Sequence, residues 1–151
     1  MPVERYLEDF AVGQVYGSGV VKVEAEAIKR FAGEFDPQPF HLDEGRARAS
    51  IFQGLVASGW HTAALAMRLL VESEFTPAGG LIGLGFEGRW TRPVRPGEEL
   101  HVVTTVLDVQ PSKSNRARGM LVLQVTTFNQ NDEPVQESRC TLLVPTRPTS
   151  G

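Results

Sequence analysis

Asp36 and His41 stand five residues apart in Asp36-Pro37-Gln38-Pro39-Phe40-His41, and their types suit chemistry better than any other close pair in the chain. A carboxylate and an imidazole are what general acid/base catalysis near neutral pH needs. Their spacing would fail on a regular helix, where residues five apart lie roughly 500° around the axis, about 140° net, and diverge. Pro37 and Pro39 bear on this directly, because each pushes its preceding residue, Asp36 or Gln38, out of helical geometry. The segment is expected to be a stiff, non-helical loop that can turn both side chains onto one water or substrate atom at little entropic cost. Phe40 and Leu42 would hold that loop down by apolar packing. An arbitrary Asp and His at this spacing are more often a turn cap and an ordinary loop histidine, and on these residues alone that alternative stands.

A second feature is Leu55-Val56-Ala57-Ser58-Gly59-Trp60. Ser58 is an expected N-cap, and Gly59 would let a ligand approach the free N–H groups of a helix start. The dipole favours negative charge at that end, so the site could hold an oxygen that gains charge during reaction. A glycine needed only for close packing fits the sequence equally well. His61 is read as a packing residue and Asp43 as a helix cap.

Basic residues form the third feature. Arg89, Arg92 and Arg95 flank Trp90, Pro93 and Pro96, while Lys113 and Arg116 lie in a serine-containing turn. Either group could contact phosphates, although solvated turn charges have the same pattern. The sequence has no GxxxxGK(S/T), GxSxG, HExxH or paired CxxC, and no GxGxxG that follows an expected strand. Nucleotide hydrolysis, serine esterase action and a structural metal site therefore have no motif behind them.

The elements that must position these residues can be read from periodicity and punctuation. A first strand is expected within Gln14 to Val23, then a helix over Glu24 to Ala32, closed by Gly33 and Pro37. A short helix over Asp43 to Ala49 follows. Ser58 to Glu72 is the strongest helix signal; beyond Trp60 it is apolar on nearly every side, which predicts a helix surrounded by protein. After Pro77-Ala78-Gly79-Gly80 the chain turns to strands: Leu81 to Trp90, Glu99 to Val109, Gly119 to Asn129 and Val135 to Val144. Helices followed by a run of strands predict an α+β fold with a mainly antiparallel sheet curled around the long helix. Residues 1–151 are read as one domain, with 144–151 a flexible tail.

Composition narrows the function classes. The chain has 151 residues, 41% hydrophobic and 22% charged, with a formal net charge of −3. That balance is ordinary for a globular protein and implies no general attraction to nucleic acid or an anionic membrane. Cys140 is the sole cysteine, which excludes an internal disulfide and a multi-cysteine metal site; its strand-like neighbours suggest a packed thiol rather than a nucleophile. No apolar run approaches the ~20 residues that would span a bilayer, and none follows a basic start, so the expectation is a cytoplasmic protein with no signal peptide.

Around its acid/base pair the sequence resembles the MaoC-like dehydratases, hotdog-fold relatives of the (R)-specific enoyl-CoA hydratases. Their motif, Asp-x-Asn-Pro-x-His-x-Asp, is matched by Asp36 to Asp43, followed by Ala47, Ala49, Phe52 and the helix start Ser58-Gly59. Tyr6 to Gln14 and Arg89 to Glu98 extend the resemblance over almost the whole chain. It implies a single hotdog domain and a hydratase/dehydratase that adds water to C2=C3 of an enoyl-CoA. Asp36 and His41 would be the catalytic pair, with the Gly59 N–H the oxyanion donor to the thioester carbonyl. Gln38, Pro39, Phe40, Ser58 and Trp60 would shape the site, and Arg89, Arg92, Arg95, Lys113 and Arg116 would be candidates for coenzyme A phosphates. Gln38 in place of the usual Asn and Ser58 in place of the usual His depart from the family pattern and leave the acyl substrate open. No cofactor and no metal are implied; the partners would be an acyl-CoA or acyl-carrier thioester and a second copy of the chain. A hotdog thioesterase and a non-catalytic acyl-binding module are the alternatives.

Overall fold

The computed structural model describes residues 3–149. Six antiparallel strands carry the fold: β1 (Val15–Gly17), β2 (Val21–Lys22), β3 (Ile82–Trp90), β4 (Glu99–Pro111), β5 (Arg118–Phe128) and β6 (Pro134–Pro145). Their order is β1-β4-β5-β6-β3, with β2 also paired to β4. The helices are α1 (Ala25–Phe35), α2 (Pro39–Leu42), α3 (Glu44–Arg48) and α4 (Gly59–Val71). This is the expected α+β hotdog: α4 lies against the sheet, and the four long strands fall where alternation and turn residues place them.

Alternation explains the core. In β4, Leu100, Val102 and Val106 are buried, and in β5 Leu121, Leu123 and Val125 share the same inner face. The register aligns Val106 with Leu123 and Leu123 with Cys140, so one apolar layer crosses three strands. Ile28 of α1 and Leu69 and Leu70 of α4 close it from the other side.

Several expectations need correction. The first strand is interrupted: Ser18 to Val20 leave the ladder, and the Ser18 hydroxyl binds backbone instead, accepting from the Val102 N–H at 2.8 Å. The first helix runs through Gly33 to Phe35 and ends only where the pre-proline restriction takes hold at Asp36. Helix α4 is not surrounded by protein. Trp60, Ala64, Met67 and Val71 form an exposed stripe along it, at the spacing of one helical face. Strand β3 is a sheet edge with every residue exposed. Past β6, Thr146 and Arg147 bond back to the rest of the chain. The Thr146 N–H donates to Ala117 O at 2.9 Å, and Arg147 forms an ion pair with Asp9 and donates its N–H to Glu8. These long-range contacts join residues too far apart in sequence for local pattern to reveal.

Leu121 is completely buried at the centre of the layer, so Leu121→Ala should lower stability by about 2–5 kcal/mol. Urea denaturation of the two proteins checks this, with the slope against urea unchanged.

Candidate functional site

Three helix ends meet at the site. Asp36 is the residue after α1, His41 sits on the single turn of α2, and Ser58 caps α4. The segment between Asp36 and His41 is thus not wholly non-helical. Asp36 (φ −154°, ψ 67°) and Gln38 (φ −101°, ψ 147°) are pushed out of helical geometry as the two prolines require. Pro39 then occupies the first helical position, where its fixed φ and missing N–H are at home. Two extended residues followed by one turn reverse the divergence that a continuous helix would impose. The His41 Nε2 lies 3.3 Å from Asp36 Oδ2.

Each member of the pair is held from its far side. Ser58 is fully buried, and its hydroxyl donates to Asp36 Oδ2 at 2.7 Å while accepting the Trp60 N–H at 3.2 Å. The Gln38 amide donates to Asp36 Oδ1 at 2.6 Å. Burial pushes the Asp36 carboxyl up, but the donors Ser58 and Gln38 and the neighbouring His41 outweigh it, and the group lies below the ordinary carboxylate range. His41 is buried, with Nδ1 2.6 Å from the carbonyl oxygen of Val56. A carbonyl oxygen only accepts, so Nδ1 carries the hydrogen and this tautomer is assigned from the network. The Nε2 atom, facing Asp36, is left to gain or lose a proton. With Nε2 unprotonated, two acceptors face each other; with it protonated, they form an ion pair.

These groups open onto a cavity of about 480 Å³, whose walls include Phe40, Phe52, Val56, Trp60, Trp90 and Val94. Gly59 also lines it, and its N–H has no partner among the described residues. The glycine is needed for space as well: a Cβ there would fall 2.5–2.7 Å from three atoms of the Trp90 indole. Gly59 thus combines a free N–H with close packing against Trp90.

Other residues named from sequence are placed as follows. Phe40 packs edge-on to His41 and Phe52 at centroid distances of 4.7 and 5.1 Å. Asp43 caps α3 by accepting the Arg46 N–H. His61 is buried and stacked on Phe31 at 4.8 Å; burial and then Arg30 push its pKa down, which suits a packing role. Cys140 lies in β6 with its thiol pushed up by burial, unlike a nucleophile. Arg92 lines the cavity while paired to Glu133 at 2.9 Å. Arg89 pairs with Glu137 on β6, and Arg95 donates to the Phe52 carbonyl at 2.7 Å. Lys113 and Arg116 lie between β4 and β5, outside the cavity walls. Sequence reasoning missed Val56, whose carbonyl sets the His41 tautomer, and Gln136, which accepts the Trp90 indole N–H at 2.9 Å. Neither carries a local signal.

A carboxyl with a lower pKa folded than unfolded adds stability above the unfolded value of about 3.9, and that stability is lost as pH falls through the folded value. Ser58→Ala should therefore raise the Asp36 titration midpoint, read by carboxyl carbon NMR, and shift acid unfolding upward. It should also cost about 1–2 kcal/mol at neutral pH through loss of the helix cap.

Comparison with known proteins agrees with this architecture. The MaoC like domain family model matches residues 9–127. A crystal structure of a MaoC-like dehydratase from Rhodospirillum rubrum superposes with a TM-score of 0.93 at 56% identity, covering 96% of this chain and 99% of that one. An uncharacterised Bacillus subtilis protein is 36% identical over 139 residues, 91% of this chain and 97% of its own length. An (R)-specific enoyl-CoA hydratase from Rhodospirillum rubrum is 29% identical over 150 residues, 95% of this chain and 94% of its own. With the family model spanning most of the chain and the paired Asp36 and His41 lying inside the match, this chain belongs to the MaoC-like hydratase family.

Proposed function

We propose that this protein is an acyl-thioester hydratase/dehydratase that adds water reversibly to C2=C3 of an enoyl-CoA, giving a 3-hydroxyacyl-CoA. The observation that carries the reading is the opposition of His41 Nε2 and Asp36 Oδ2 at 3.3 Å on one cavity wall. The two atoms are too close for a water to lie between them, but one water on the cavity side of the pair can reach both. The unpartnered Gly59 N–H, at the start of α4 on the same cavity, supplies a donor for the thioester oxygen. The relative named as an (R)-specific enoyl-CoA hydratase supports the same chemistry.

The steps follow from these placements. The thioester oxygen accepts the Gly59 N–H, so charge developing on it is met by a donor and by the positive end of the α4 dipole. That polarisation makes C3 electrophilic. The bound water's oxygen bonds to C3 as one of its protons passes to the Asp36–His41 pair. The C2=C3 electrons move toward the thioester, and the pair returns a proton to C2. The hydroxyl stays on C3, no proton is gained or lost overall, and dehydration is the reverse. Asp36 and His41 act together in both proton transfers. Of the five basic residues named from sequence, Arg92 alone lines this cavity, and in this reading it contacts the coenzyme.

A second copy of the chain completes the assembly in this reading. The stripe Trp60, Ala64, Met67 and Val71 on α4 and the exposed Phe86 and Trp90 of edge strand β3 form an apolar surface, and an uncovered strand edge invites pairing. Phe86→Glu should convert a dimer to a monomer in light scattering; a wild-type monomer would contradict the pairing.

Enoyl-CoA should lose its conjugated thioester absorbance and yield the 3-hydroxy product. Asp36→Ala and His41→Ala should each reduce kcat/KM by about 10²–10⁴-fold. Undiminished hydration in either variant would refute the assignment. Release of free thiol without hydroxy product would indicate hydrolysis instead, and binding without turnover an acyl-binding module.

A further inference from the structure

Trp90 closes the candidate cavity next to the end of α4, and its position is fixed on three sides. Its indole lies on the Cα of Gly59, in the space any larger residue's Cβ would claim. Trp60 meets it edge-to-face at a centroid distance of 5.2 Å and 84°. Its N–H donates to Gln136 Oε1 at 2.9 Å, and Gln136 is 3% exposed. Swinging the ring aside would leave that buried acceptor unpaired, which is costly. Trp90, about half exposed on its outer side, is therefore held in place as one wall of the cavity.

The remaining volume is small for the ligand it would serve. At about 480 Å³ the cavity lies in the lower half of the ~300–1,000 Å³ range of small-molecule sites. It must take the end of a pantetheine arm, the thioester and the acyl group together. The catalytic loop cannot recede to make room, since Asp36 and His41 are pinned by Ser58, Gln38 and the Val56 carbonyl. Phe40 and Phe52 pack on each other at the same cavity.

We propose that Trp90, held against Gly59 and latched to Gln136, is the specificity-determining residue that restricts this site to short acyl thioesters and excludes medium-length unbranched ones. The proposal rests on the acyl-CoA reading of the site, but concerns binding and not turnover. A longer methylene chain can seat its thioester only by crowding or displacing the indole, and forcing extra methylenes into a filled space is destabilising.

Saturated acyl-CoAs separate this idea from the hydration reading, because they bind without reacting. Isothermal titration of the intact protein with butyryl-CoA and octanoyl-CoA should give at least ~10-fold tighter binding of butyryl-CoA, because the longer chain is crowded by the indole. Trp90→Ala should bring the two to parity or reverse the preference. Trp90→Phe keeps an aromatic ring on Gly59 but removes the latch, and it should move the ratio the same way by a smaller factor. Gln136→Leu should resemble Trp90→Phe. Equal binding of the two ligands by wild type, binding of neither, or an unchanged ratio in both Trp90 variants would overturn the proposal. Hydration of crotonyl-CoA by the wild type, measured separately, stands or falls with Asp36 and His41 and not with Trp90.

Discussion

The hydrogen bond from Ser58 to Asp36 is the constraint on which the site depends. It spans 22 residues and is 2.7 Å long, joining the end of α1 to the start of α4. The same hydroxyl accepts the Trp60 N–H, so one buried oxygen both caps the long helix and orients the carboxylate. Helix nucleation and site geometry are therefore linked. A change that frays the first turn of α4 releases Asp36, and a change that releases Asp36 weakens the cap. The carboxylate also draws Gln38 and faces His41, which fixes the loop between them.

His41 is anchored independently through the Val56 carbonyl. Val56 in turn donates its N–H to Phe40 O, and Ala57 donates to Val94 O, so the strand-like approach to α4 is stitched to both α2 and the segment after β3. The pair thus rests on backbone from three separate parts of the chain. Such support keeps the reacting groups near their working geometry before any substrate arrives. It also explains the position of Gly59: α4 must begin beside the pair, with an open N–H, and yet leave room for Trp90.

Much of the fold was legible because β4 and β5 alternate between buried and less buried residues, and β3 to β6 are separated by Gly, Pro and Asn turns. The chemistry of Asp36 and His41 was legible only in part. Two prolines signalled extended residues at Asp36 and Gln38, but Pro39 also starts a helical turn, and the same residue type serves both ends of that geometry. The Ser58 cap was visible, whereas its bond to Asp36 was not, since no local pattern links residues 22 apart. The Trp90–Gln136 latch was hidden for the same reason, at 46 residues. The apolar surround of α4 suggested complete burial, yet Met67 and Val71 are about half exposed. Hydrophobicity records that a face needs cover without saying whether the same chain supplies it.

The most direct test of the account is a crystal structure with 3-hydroxybutyryl-CoA bound. The product's 3-hydroxyl oxygen should lie within hydrogen-bond reach of both Asp36 Oδ2 and His41 Nε2, with the thioester oxygen at the Gly59 N–H. A ligand bound with its thioester carbon, rather than C3, against Asp36 and His41 would contradict hydration and point to acyl transfer to water.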